Sequence, residues 1–181
     1  TRLLYAGLAL AALTMSASCS DAMRHRAATL KAIAGAVASE NQAPREQAEG
    51  GDDLLRAVTP DSVPSMILER TGYVTSYNKN TKLPNWVAWH LTAEHTKGSH
   101  NRKGIDFMED EDVPTPRADD WDYYNSRYDR GHMCPAGDNK WDSEAMRQSF
   151  LFTNICPQAP GLNRGDWNEM EMACRKWAKK Y

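Results

Sequence analysis

The string Tyr128-Asp129-Arg130-Gly131-His132-Met133 constrains this chain more than any other part of it, because it sets a base, a guanidinium and a permissive glycine side by side after a strand-like run. Residues two apart on a strand share a face, so Arg130 and His132 are expected to be presented together at its end. Gly131 has no Cβ, so it can take strained dihedrals and let a bound backbone come close. An imidazole with an ordinary pKa near ~6.5 can take a proton from water at neutral pH, and a neighbouring guanidinium can neutralise an anion. Taken singly, a histidine is most often a surface or satisfied core residue, which is the reading for His25, His90, His95 and His100.

His132 is set apart by ordered strings downstream: Asn154-Ile155-Cys156-Pro157-Gln158, then Leu162-Asn163-Arg164-Gly165-Asp166-Trp167, then Glu171. A base beside an arginine is a set that phosphodiester hydrolysis needs. With Asp129-Arg130-Gly131-His132, these strings resemble the DNA/RNA non-specific endonucleases of the ββα-metal (His-Me finger) type, the group that includes mitochondrial endonuclease G and secreted bacterial nucleases. The resemblance runs from about Gly72 to the last residue and takes in Trp86 to Thr92 and Arg102 to Asp110. It implies an α+β fold built on a ββα-metal nuclease core with antiparallel strands. It also implies metal-dependent hydrolysis of phosphodiester bonds in DNA and RNA with little sequence specificity. Position by position, His132 is then the general base and Asn163 the single protein ligand of a magnesium ion, with manganese able to substitute. Glu171 holds the metal's waters, and Arg130 together with Arg102, which has Lys103 beside it, stabilises charge in the transition state.

These roles agree with elementary chemistry. Magnesium dehydrates reluctantly and uses few protein ligands, so one amide oxygen from Asn163 is a sufficient anchor. On one regular helix Asn163 and Glu171 would stand about 12 Å apart along the axis, too far for one ion to bind both. Glu171 therefore acts through water, or Asn163 sits in a turn before the helix. Taken alone, Asn163 before Gly165 is turn chemistry, Glu171 is solvated surface and Arg102-Lys103 is an ordinary charge pair. Asp129 by itself pins the hairpin or pairs with an arginine. The ordered combination favours the functional reading for His132, Arg130, Asn163 and Glu171.

With 181 residues, 41% of them hydrophobic, the chain can bury one moderate core. The 22 Lys and Arg against 24 Asp and Glu, net charge -2, argue against tight coating of nucleic acid by counterion release. Local phosphate contacts from a metal and two or three arginines suffice for brief capture.

The first residues are organised differently. Arg2 precedes an apolar run from Leu3 to Met15, too short for a transmembrane helix, and Ser16-Ala17-Ser18-Cys19 follows. Residues 1–19 resemble a bacterial lipoprotein signal in which Cys19 is acylated, giving a membrane partner through that lipid and a place in the cell envelope; the alternative is an ordinary secretory signal with an incidental Cys19. Residues 20–65 read as a flexible tether, with a transient helix over Ala27 to Ser39. The endonuclease domain is expected over 66–181, incomplete at its C-terminus because the resemblance implies further strands after the catalytic helix.

Within that domain, Gly72 to Tyr77 and Trp86 to Thr92 predict a β-hairpin, and Val113-Pro114-Thr115-Pro116 predicts a loop. Asp142 or Ser143 is expected to cap a short helix through Phe150, Leu151 to Ile155 to form a buried strand, and Asp166 to cap a helix running to Lys180. Trp167, Met170, Cys174 and Trp177 fall on one helical stripe and predict a core-facing side. Cys134, Cys156 and Cys174 leave two options open: a disulfide between two of them, or a zinc site with His132. The competing functional classes are a noncatalytic surface lipoprotein that binds nucleic acid and a zinc-stabilised interaction module.

Overall fold

The computed structural model describes residues 57–181. The expected signal, Cys19 and most of the expected tether lie outside the described residues. The last stretch of that tether is tied to the fold: Trp86 Nε1 donates to Thr59 Oγ1 (2.8 Å), Asn85 Nδ2 to the Pro64 carbonyl (3.0 Å), and the Ser65 and Ser76 hydroxyls meet at 2.6 Å.

Strands β1 (Met66–Glu69), β2 (Val74–Asn78) and β3 (Leu83–Ala88) form an antiparallel sheet in sequence order. The predicted hairpin is β2–β3. Its turn is closed by Asn78, whose Oδ1 accepts from the Asn80 and Thr81 amides at 3.0 and 3.3 Å, the local Asx chemistry that makes Asn a turn former. The second strand ends at Ala88 rather than Thr92. Ala88 pairs with Val74, the first residue of β2, and the preceding Tyr73 carbonyl accepts from the Arg70 amide (2.8 Å), so the ladder has no partner to continue with.

A second antiparallel pair carries the key string. β4 (Asp129–His132) pairs with β5 (Ile155–Gln158), setting His132 opposite Ile155 and Arg130 opposite Pro157. Helix α1 (Ser143–Gln148) lies between them in sequence and is capped as expected by Asp142, whose carboxylate accepts from the Glu144 and Ala145 amides, both at 2.8 Å. The strand expected at Leu151 to Ile155 starts later. Phe152–Asn154 is a 3-10 turn, because Asn154 is spent as a clamp: its Oδ1 accepts from the Cys134 amide (2.8 Å) while Nδ2 donates to the Cys134 and Ser149 carbonyls (2.9 and 2.8 Å). This fully buried amide fixes the chain leaving His132 to the chain entering β5.

After β5 comes a wide helical turn, Leu162–Trp167, kinked at Gly165, and then helix α2 (Asn168–Lys180). The helical winding starts at Leu162, ahead of Asp166, where the sequence places the start of the helix. Trp167 is buried as predicted, while Met170, Cys174 and Trp177 are half-buried. Two apolar clusters hold the domain: Tyr77, Val113, Phe152 and Ile155 with Leu68 and Ala118, and Ala136, Met146 and Phe150. Phe107 packs against both clusters and so ties the sheet side to the α1 side.

Cys134, Cys156 and Cys174 are all free thiols, so the disulfide option is not realised. Cys134 is fully buried against the Asn139 amide, and Cys156 lies beside the Met133 sulfur at 3.4 Å. Among the described residues no three His, Cys, Asp or Glu side chains are grouped to hold a metal, which removes the support for the zinc module.

Candidate active site

Arg130 and His132, two apart on β4, share a face but differ in depth. Arg130 is exposed and His132 is buried, 9% accessible. The His132 ring packs against two aromatic rings, Phe150 edge to face at 4.8 Å and Phe107 tilted at 5.4 Å, which also meet each other at 5.3 Å. Each of those rings carries a guanidinium. Arg130 sits over Phe107 at 4.7 Å and Arg102 over Phe150 at 5.4 Å. Two cation–π contacts thus seat the two predicted arginines on the rings that pack against the predicted base. Neither phenylalanine was singled out from sequence, where each reads as ordinary core.

Burial first, and Arg102 second, push the His132 pKa down to about 3, since both disfavour the imidazolium. His132 is therefore neutral throughout the physiological range, with a lone pair to offer. Its Nε2 is buried and has no hydrogen-bond partner.

The structure alters the expected reason for Gly131. A Cβ there would lie 2.2 Å from Gln158 Cδ and 2.4 Å from its Cγ. The glycine makes room for a buried cross-strand glutamine rather than for strained backbone, and its φ is not in the left-handed region.

Asn163 sits in the wide turn before α2, one of the two arrangements foreseen. Its Nδ2 donates to Asp129 Oδ2 (2.9 Å), and the same carboxylate receives Arg164 Nε and Nη2 at 2.8 and 2.7 Å. Arg164 and Asn163 hold the Asp129 pKa below the ordinary carboxylate range. Asp129 thus does pair with an arginine, and it also orients the Asn163 amide. With the nitrogen committed, Oδ1 makes no hydrogen bond among the described residues. A neutral oxygen fixed in this way fits the sparse ligand set that magnesium accepts.

Arg102, Arg130, Asn163 and Asp129 line one open pocket of about 340 Å³, together with Phe107, Asp120, Tyr123, Tyr124 and Tyr128. Asp120 accepts from Arg130 Nη1. Glu171 is not among the lining residues. It faces Arg175 at 3.5 Å, and Arg175 bonds Asp138 at 2.8 Å, whose other oxygen accepts from Trp89 Nε1 at 3.0 Å. Burial raises the Glu171 pKa to about 7, against the pull of Arg175 and with help from Asp138. The pocket gathers three of the five predicted residues, Arg102, Arg130 and Asn163; His132 is buried behind it against the lining ring of Phe107, and Glu171 lies in a separate half-buried network.

The sequence profile of the DNA/RNA non-specific endonucleases matches residues 50–181. The chain belongs to that family. Among curated relatives, the mitochondrial nuclease EXOG of Danio rerio is 38% identical over 140 residues, covering 75% of this chain and 41% of its own. A nuclease of Syncephalastrum racemosum is 41% identical over 128 residues, 68% of this chain and 40% of its own. Human mitochondrial endonuclease G is 35% identical over 118 residues, 65% of this chain and 40% of its own. The chain thus spans about two-fifths of the length of these relatives. A crystal structure of the EndoG/EndoGI complex, which concerns EndoG inhibition, contains a chain that superposes with a TM-score of 0.60 at 35% identity, covering 62% of this chain and 48% of that one. The antiparallel β4–β5 pair followed by the turn and α2 is the ββα-metal core of this family's fold.

Proposed function

We propose that this chain carries the catalytic core of a metal-dependent endonuclease that hydrolyses phosphodiester bonds in DNA and RNA with little sequence preference. The observation that carries the reading is the convergence of Arg102, Arg130 and Asn163 on one pocket, with His132 packed against the two rings on which the arginines stack.

Arg102 and Arg130 capture a backbone phosphate, which must first displace the Asp120 carboxylate from Arg130. Contacts made chiefly to phosphate carry no base information, hence the low sequence preference. An imidazole with a pKa of about 3 is a weak base. Phosphate charge arriving on Arg102 offsets the cation that disfavours the imidazolium, so substrate binding raises the basicity of His132 when it is needed. His132 then takes the proton from the attacking water. Asn163 presents Oδ1 to a magnesium ion, or to manganese in its place, which when bound supplies Lewis-acid polarisation of the phosphoryl oxygen and support for the leaving oxygen. Glu171, with a carboxyl that titrates near neutrality, would hold water for that ion when it is bound.

Export, with Cys19 acylated or residues 1–19 removed as a plain signal, is also part of the proposal; it is supported by residues 1–19 alone, whereas the EXOG and endonuclease G relatives are named mitochondrial. Metabolic labelling of Cys19 with a fatty acid, lost in Cys19→Ala, tests the lipid.

The central experiment incubates plasmid and RNA with the protein, with magnesium and with EDTA. Cleavage that needs the metal and falls by at least ~100-fold in His132→Ala supports the proposal. Polynucleotides left intact by metal-loaded protein would favour the noncatalytic nucleic-acid binder, and cleavage indifferent to EDTA would remove the metal from the mechanism.

A further inference from the structure

Three large rings stand in water on the segment that leads into β4: Trp121 is 77% exposed, Tyr124 73% and Tyr128 55%. Trp121 and Tyr124 meet edge to face at 5.3 Å. Their support is firm. Asp119 caps the 3-10 turn Asp120–Asp122 with a reciprocal capping box, and Lys82 of the β2–β3 turn bonds Asp122 at 3.0 Å. Tyr123 anchors the segment from beneath, stacked on Phe152 at 5.4 Å with its hydroxyl donating to the Ile155 carbonyl (3.2 Å). Asn125 and Arg127, both in the left-handed region at φ 53 and 66, then turn the chain back to Tyr128.

Tyr124 and Tyr128 line the pocket that holds Arg102, Arg130 and Asn163. A phosphate held by those arginines therefore carries its attached nucleosides to the edge of the rings. The same segment bears Asp119, Asp120 and Asp122, which repel phosphates, so what it offers a polynucleotide is its ring faces. Aromatic rings beside a phosphate-binding groove form a stacking platform that tolerates any base, because every base has a π face.

We infer that Trp121, Tyr124 and Tyr128 stack on unpaired bases flanking the bound phosphate, so that the preferred substrate class is single-stranded or locally unpaired polynucleotide. In a duplex the base faces are already covered by their neighbours. This inference rests on the proposed phosphate-binding pocket and specifies which polynucleotide that pocket takes.

The test compares a fluorescent oligothymidylate with an abasic strand of the same length, which has the same phosphates and no bases, by anisotropy at low salt with EDTA present. The wild-type chain is expected to bind the thymidine strand at least ~10-fold more tightly than the abasic strand, on the scale of base stacking. The Trp121→Ala/Tyr124→Ala variant is expected to lose that preference through weaker binding of the thymidine strand, and Trp121→Phe/Tyr124→Phe to keep most of it. Both replaced side chains are largely solvent-exposed, and circular dichroism checks the fold. Equal binding of the two strands by wild type, a preference that survives the alanine pair, or no binding of either strand overturns the inference. So does loss of a dimer in the alanine pair without a change in strand preference, which would assign the rings to a second copy. Cleavage with magnesium is scored separately. An inert protein that still prefers thymidine keeps the stacking inference and sinks the nuclease reading, and an active nuclease without the preference does the reverse.

Discussion

Asp129→Ala probes the least obvious contact of the site. The Asp129 carboxylate accepts from Asn163 Nδ2 at 2.9 Å, and this is what keeps the amide oxygen, rather than the nitrogen, free. An amide has two flipped states of nearly equal volume, so its orientation is set by hydrogen bonding. A hydrogen bond to a charged group is worth about 1.5–3 kcal/mol, and at ~1.4 kcal/mol per tenfold its loss cuts the correctly oriented fraction's advantage by roughly 10- to 150-fold. The correctly oriented fraction then falls from nearly all to about one half, so the observable, the magnesium concentration giving half-maximal cleavage, is expected to rise about twofold with little change in kcat at saturating metal. Arg164→Ala is the control. Arg164 is 73% exposed and shares the carboxylate without touching the Asn163 amide, so the magnesium midpoint is expected to stay at the wild-type value. If Asp129→Ala leaves the metal dependence at the wild-type value, or if Arg164→Ala shifts it equally, the carboxylate does not act by orienting Asn163.

Asp120→Asn removes the carboxylate from Arg130; as both side chains are well exposed, affinity for single strands is expected to rise by no more than about fivefold, most at low salt, and a fall would show that Asp120 helps hold substrate. Gly131→Ala forces a Cβ against Gln158 and is expected to lower stability by about 1–3 kcal/mol in urea melts, with Gly131→Ala/Gln158→Ala recovering most of it; additive losses would refute the packing reason. The folded-state pKa of His132 lies below its unfolded value, so the unfolded chain takes up the proton first as pH falls. The stability this site contributes is present above pH ~6.5 and is lost down to about 3, at most about 5 kcal/mol. His132→Gln, which cannot gain that proton, is expected to show a flatter loss of stability over the same window; an unchanged slope would place the acid sensitivity elsewhere.

Much of this was legible from residue order. The pairing of Arg130 with His132 on a strand follows from spacing, the Asp142 cap and the β2–β3 turn from side chains that bond their own neighbours, and the family from ordered strings. These features act within a few residues along the chain, where sequence neighbours are also spatial neighbours. The strand limits were less legible. Ala88 ends β3 because its partner strand runs out, and Phe152–Asn154 coils because Asn154 is bonded to Cys134, twenty residues upstream.

The site's working geometry was decided only when distant segments met. Phe107 and Phe150 look like any core phenylalanine until folding sets them together against His132 and under two guanidiniums. Asp129 orients Asn163 from thirty-four positions away, and Glu171 is drawn to Arg175, which it shares with Asp138, rather than into the arginine-lined pocket. Residue order determined which chemical groups the chain owns and the local form of the strands and caps. Chain closure decided their solvent exposure, their partners and so their proton affinities, because desolvation and through-space charge depend on what is nearby in three dimensions and not on what is adjacent in sequence.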